Sequence, residues 1–195
     1  MNKKRTCSQI VQPKRIVNLK QRAQRGDDKR ARPQTAGHRV IPLTRGKFAI
    51  VDAADHSRLA KHKWHTAESR GRFYAQRWHK GKTVKMHRVI LKAPPGMFCD
   101  HKNHNTLDNR SSNLRICTPA QNAYNQLPRS GGTSRYKGVV WNKERRKWTA
   151  RIKHEGRTFH LGCYDYEADA AIAYDDKAIE LFGEFACLNF NYRRR

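Results

Sequence analysis

At 195 residues the chain has room for one or two small domains, each with a modest hydrophobic core. Its 42 Lys and Arg against 16 Asp and Glu give a net charge of +26, far beyond what solubility asks of a protein this size, so the expected partner is a polyanion: DNA, RNA or anionic lipid. No stretch approaches the ~20 apolar residues that cross a bilayer and no apolar segment follows the basic amino terminus, which predicts neither membrane insertion nor secretion but a reducing, cytoplasmic setting.

Residues 1–38 mix basic side chains with Gln, Pro and Gly and lack sustained apolar periodicity, the pattern of a solvated basic tail that can add phosphate contacts without sequence information. From Ile41 a small mixed unit begins. KFAIVD reads as a strand and DHSRLAKHKW as a short helix opened by Asp55 as N-cap; FYAQRW and TVKMHRVIL read as two strands joined by the turn HKGK. In the last of these, Val84, Met86 and Arg88 alternate with Lys85, His87 and Val89. His87 then either approaches the segment that follows or serves packing or a phosphate contact.

Residues 98–101 read as a strand end, KNHNTLDNRSSN as a long polar loop, and residues 114–117 as a second short strand. Thr118 supplies an N-cap hydroxyl, Pro119 suits the first helical position and Gln121 completes a capping box, so a helix starts here with Asn122 in its first turns. The segment QLPRSGGTS concentrates Pro, Gly and Ser and marks a linker.

Beyond the linker, residues 136–141, 147–154 and 157–162 read as three antiparallel strands and residues 166–182 as a helix. In the middle strand Trp148, Ala150 and Ile152 alternate with Thr149, Arg151 and Lys153, so one face packs and the other is basic. The helix offers Ala170, Ala171, Tyr174, Ala178 and Leu181 as a stripe for the sheet, with Glu167, Asp169, Asp175, Asp176 and Glu180 as its acidic complement. A basic sheet of this kind can lie in a DNA major groove. Trp141 and Trp148 are candidates for stacking on bases, or for packing in a domain with few other large apolar residues.

Strand, loop, strand and helix bring a carboxylate (Asp100), an imidazole (His101) and an amide (Asn122) toward one point. Asp100 and Asn122 offer hard oxygen ligands to Mg²⁺ or Mn²⁺, and His101 a base near neutral pH. That division of labour hydrolyses a phosphodiester with one metal ion: the base deprotonates the attacking water, and the ion neutralises phosphate and leaving oxygens. The five cysteines are scattered with no C-x-x-C pair, which argues against a disulfide framework and a zinc knuckle; Cys99 and Cys117 on neighbouring strands are the one pair that could share a metal.

Residues 41–125 resemble the HNH homing endonucleases of phages and mobile introns, a branch of the ββα-metal nucleases. The resemblance implies that His101 is the general base, Asn113 the amide that braces the long loop and orients it, and Asp100 and Asn122 the metal ligands. Where many such proteins have Gly in the D-H-K-N-G-N turn this chain has His104, which tolerates a left-handed backbone less well and is a rival ligand or base. The carboxy-terminal segment, through YKGV, W-x-A-R-I, LG-x-Y, A-A-x-A-Y and LNF, resembles the ethylene-response-factor (Apetala-two) DNA-binding domain. That likeness implies groove-facing roles for Lys137, Val140, Asn142, Arg151, Lys153, Thr158 and His160, without carrying over a base preference.

These readings predict an α+β chain: a basic tail over 1–38, a nuclease domain over 39–126 with its ββα-metal motif at about 97–126, a linker over 127–134 and a DNA-binding domain over 135–191. The expected function is site-specific cutting of double-stranded DNA with one divalent ion and no small-molecule cofactor, by a monomer or weak dimer in a bacterial or phage-infected cell. The competing readings are a non-catalytic DNA-binding regulator that retains a nuclease fold, and a basic RNA-binding protein.

Overall fold

A computed structural model of the chain describes residues 37–128 and 130–192. The basic tail expected over 1–38 lies outside the described residues, except for its last two positions. The described chain is an α+β fold of four small antiparallel sheets and four helices.

The first sheet pairs β1 (His38–Pro42) with β2 (Phe48–Asp52), and the second runs in the order β3 (His65–Ser69), β4 (Arg72–His79), β5 (Lys82–Lys85). Helix α1 (Ala53–Ala60) joins them. Two-residue turns close the second sheet: Arg70 and Gly71, then Lys80 and Gly81, all at positive φ. That geometry matches the right-handed twist of the flanking strands. Ile41, Ala49, Val51, Leu59, Trp64, Ala75, Met86, Ile90 and Leu114 form one buried cluster, so strands read as separate in the sequence share a single core with the motif that follows.

Two expectations are corrected here. The residue before α1 is Asp52, and Asp55 lies inside the helix, buried, where it accepts from Arg58 Nε at 2.9 Å. Residues 65–69 form the additional strand β3. The predicted strand TVKMHRVIL is split into β5 and the helix α2 (Met86–Leu91). Met86, His87 and Ile90 are the buried residues of α2; the i, i+4 pair faces the core as a helix requires, and a short apolar run does not distinguish the two periods.

Strands β6 (Phe98–His101) and β7 (Leu114–Cys117) form the third sheet, followed by α3 (Pro119–Tyr124), as the sequence predicts. The Thr118 side chain accepts from the Gln121 backbone N–H at 3.1 Å while the Gln121 side chain accepts from the Thr118 N–H at 2.9 Å, a full capping box.

The last sheet has the order β10 (Arg157–Tyr164), β9 (Lys147–His154), β8 (Val139–Asn142), with α4 (Glu167–Phe182) across one face. Ala170, Ala171, Tyr174 and Ala178 are buried as expected. Gly138 runs against this helix at φ +77, and a Cβ there would drive into the Tyr174 ring. Asp175, expected on the acidic outer face, is instead fully buried. Its carboxylate accepts the backbone N–H groups of Asn189 (2.8 Å) and Phe190 (3.0 Å). The Asn189 side chain in turn accepts from the Lys137 N–H and donates to the Lys137 carbonyl. The LNF and YKGV motifs are thus two ends of one hydrogen-bonded seam. Among the described residues no helix is long and apolar enough to cross a membrane.

Candidate active site

Successive residues of β6 leave the strand on opposite sides, which separates the tasks of Asp100 and His101. Asp100 pairs in register with Arg115; Arg115 Nε and Nη2 lie 2.8 and 2.7 Å from its Oδ2, and Asn125 Nδ2, just beyond α3, lies 3.0 Å from both carboxylate oxygens. His101 meets α2 on the other side, its ring 5.2 Å from that of His87 and nearly perpendicular to it. Both Asp100 and His101 are buried, at 7% and 5% exposure, yet both line one cleft of about 670 Å³ that also takes in Asn122, His104, Arg72 and Lys85.

The loop between the strands is held from within. Asn113, buried, accepts the Asn103 N–H at 3.0 Å and donates to the Asp108 carbonyl at 2.7 Å, which ties the two arms of the loop across its waist. Asp108 and Asn109 are locked onto β2 by Asn109 N–H to Ile50 O (2.7 Å) and Ile50 N–H to Leu107 O (2.9 Å). Asn109 Nδ2 donates to Leu107 O at 3.1 Å, which leaves its Oδ1 facing His101 Nε2 at 3.4 Å. An amide oxygen only accepts, so Nε2 carries the hydrogen and Nδ1 keeps the basic lone pair.

Burial is the largest influence on His101 and holds its pKa below the usual imidazole value, against the opposing pull of Asn109, Asp100 and Asp108. His87 is pushed down to about 3, by burial first and then by the neighbouring His101, Lys85 and Arg88. Both rings are therefore neutral at physiological pH. Burial raises the thiols of Cys99 and Cys187, and that of Cys117 to about 11, so none of the three is a ready thiolate.

The donor set suits a hard divalent ion. Asp100 Oδ2 is engaged by Arg115 and Asn125, whereas Oδ1 receives Asn125 alone and so retains acceptor capacity. Among the described residues the Asn122 side-chain amide takes no protein hydrogen-bond partner and lines the same cleft. One carboxylate oxygen and one amide oxygen, with remaining positions left to water and phosphate, is a ligand pattern that Mg²⁺-like ions accept. No three His, Cys, Asp or Glu side chains converge among the described residues. Cys117 faces Phe98 in register, whereas Cys99 faces Ile116, so the two thiols leave opposite sides of the hairpin and do not form the shared metal site considered from sequence.

Comparison with known proteins decides the family. The sequence profile described as HNH endonuclease matches residues 84–124, the span from β5 through α3. An HNH endonuclease of Acanthamoeba polyphaga mimivirus is 34% identical over 151 residues, covering 74% of this chain and 76% of that protein. The chain belongs to the HNH endonuclease family. Protein 3.8 of Escherichia phage T7 is 33% identical over 93 residues, covering 48% of this chain and 76% of its own length. An AP2-like ethylene-responsive transcription factor of Arabidopsis thaliana is 43% identical over 70 residues, 33% of this chain and 19% of that protein. As a member of this family the endonuclease is a metal-dependent nuclease whose substrate is DNA.

The endonuclease carries its other predicted contact residues on the last sheet. Arg151 pairs with His160 and Lys153 with Thr158, all four exposed on the face away from α4. Val140 and Asn142 extend that face at β8, opposite Thr149 and Lys147; the Asn142 side chain accepts the Arg145 N–H at 3.0 Å. Lys137 is elsewhere: its ammonium donates to Tyr124 O (2.5 Å) and Gln126 O (2.7 Å) at the end of α3, and burial lowers its pKa. Trp141 and Trp148 pack edge to face at 5.0 Å, with Trp148 against the module's core. His104 adopts the left-handed backbone its position demands, at φ +63, and its Nε2 lies 3.8 Å from Cys187 Sγ. Sequence reasoning missed Asn109, Arg115 and Asn125; each is one polar residue among many in its stretch, and only their placement against His101 and Asp100 distinguishes them.

Proposed function

We propose that the endonuclease cuts double-stranded DNA at chosen sites, with His101 as general base, Asn113 as loop brace, and Asp100 and Asn122 as ligands of one Mg²⁺ or Mn²⁺ ion. The observation that carries this reading is the convergence of Asp100, His101 and Asn122 on one cleft with Arg72 and Lys85 in its wall. His101, neutral and with its lone pair on Nδ1, takes the proton of the water that attacks phosphorus while the bond to the 3′ oxygen breaks, leaving 5′-phosphate and 3′-hydroxyl ends. Asn109 holds the tautomer through Nε2, and Asn113 keeps the loop that carries Asn109 in place. Asp100 and Asn122 would hold the divalent ion, which when bound would supply Lewis acidity to the phosphodiester. Arg115 and Asn125 keep the Asp100 carboxylate aimed.

Site choice falls to the carboxy-terminal sheet. Its exposed basic face, its opposing acidic helix and the partial similarity to a plant transcription factor support an Apetala-two-like DNA-binding module fused to the nuclease. Arg151, Lys153, Thr158, His160 and Asn142 are its contact residues, and a homing role would follow from such targeting. One cutting site per chain makes a nick the unit event for a monomer.

The test is supercoiled plasmid incubated with Mg²⁺, with Mn²⁺ or with chelator. Metal-dependent nicking is expected, and His101→Ala should lower the rate by roughly 10²- to 10⁴-fold while DNA affinity is retained. Parallel loss of affinity in a folded His101→Ala protein would refute the division between binding and chemistry.

A further inference from the structure

The side chain that aims Asp100 is itself held by the other module. On one side, the Arg115 guanidinium grips the Asp100 carboxylate at 2.8 and 2.7 Å. On the other, it donates to the Glu184 carbonyl at 2.5 Å, lies 3.7 Å from the Glu184 carboxylate, and rests on the Phe185 ring with its central carbon 4.0 Å from the centroid. Residues 183–185 form the 3-10 turn that follows α4. Arg115 is 10% exposed, sealed between the two modules.

Two further contacts fix that junction. Tyr124 of α3 stacks on Phe182 of α4 with centroids 3.9 Å apart and rings 9° from parallel, and the Lys137 ammonium caps the carbonyls of Tyr124 and Gln126. The seam touches α3, the helix that bears Asn122, and β7, the strand that bears Arg115.

We infer that Arg115 is a positioning residue through which the carboxy-terminal module completes the cutting site, so that DNA recognition and catalysis share one rigid body. The inference rests on the reading of Asp100 as a ligand. A long cationic side chain beside an open, DNA-binding cleft is drawn toward phosphate oxygens; the Phe185 face and Glu184 carbonyl give it a fixed seat that keeps it on Asp100. Removing that seat leaves DNA contacts intact while loosening the carboxylate.

The experiment pairs thermal unfolding with kinetics in the full chain. Wild-type protein should unfold its two modules in one transition. Phe185→Ala should lower kcat for plasmid nicking about tenfold, the barrier equivalent of a half-buried cation–π contact, between the exposed and desolvated limits, with KM and DNA Kd unchanged, and Phe185→Tyr should restore it. Two independent wild-type transitions, or wild-type kcat in Phe185→Ala, would overturn the inference. A Gly-Ser insertion after Ser130 serves where Phe185→Ala does not fold: docking predicts unchanged kcat, and a fall would show that the tether, not the seam, sets the geometry. Wild-type protein that never nicks DNA defeats the proposed function separately, and the melt still decides whether the modules are docked.

Discussion

Replacing Asn109 by Asp tests the base directly. The Asn109 amide oxygen lies 3.4 Å from His101 Nε2, so Asn109→Asp puts a carboxylate against the imidazole with almost no change in shape. At an effective dielectric of ~20, unit charges about 4 Å apart attract by about 4 kcal/mol, and one pKa unit corresponds to about 1.4 kcal/mol. The new carboxylate loses solvation and faces the Leu107 carbonyl where the amide donated at 3.1 Å, which offsets part of that gain. The expected result is a rise of about 1 to 2 units in the His101 pKa. The base must be neutral to accept a proton, so activity is lost as pH falls through this pKa. Burial holds the wild-type value below the usual 6.5, which sets the acid limb of kcat/KM below that point. Asn109→Asp should move the limb upward, read from kcat/KM between pH 5 and 9 at saturating Mg²⁺. An unmoved limb in a folded, DNA-binding variant would refute either the contact or the role of His101.

The buried, neutral His87 makes a stability prediction. Its folded pKa of about 3 lies well below the ordinary imidazole value of 6.5, so the unfolded chain binds a proton that the native state refuses; stability is full above 6.5 and falls by about 1.4 kcal/mol per pH unit below it. Urea midpoints should drop by the equivalent of about 2 kcal/mol between pH 6.5 and 5, and an equal drop in His87→Gln would assign the effect elsewhere. Gly138→Ala forces a side chain at φ +77 into the Tyr174 ring, 2.7 Å from the Arg151 carbonyl; a loss of about 3 kcal/mol is expected from strain and overpacking, and an unchanged melting temperature would contradict the close approach. Arg151→Ala should weaken DNA binding and reduce the slope of log K against log[salt] by about 0.9, one phosphate's worth. An identical slope would remove Arg151 from the phosphate interface.

Local chemistry made much of this protein legible in its sequence. The capping box at Thr118 and Gln121, the Lys-Gly and Glu-Gly turns, and the alternation of β9 are each determined by neighbours within a few residues, and they emerge where the sequence puts them. The strand–loop–strand–helix order around Asp100 and His101 follows from the same short-range rules.

What the chain alone could not decide depended on partners distant in sequence. α2 became a helix because Met86 and Ile90 meet the core shared with β1 and β2. Asp175 left the acidic face because two backbone N–H groups, some fourteen residues on, needed an acceptor. Lys137 left the basic face because the carbonyls at the end of α3 needed a donor. Asn109 was one asparagine among several until β2 pinned its loop beside His101. Short-range periodicity selects the elements; burial, with its demand that every enclosed polar group find a partner, assigns the side chains their tasks.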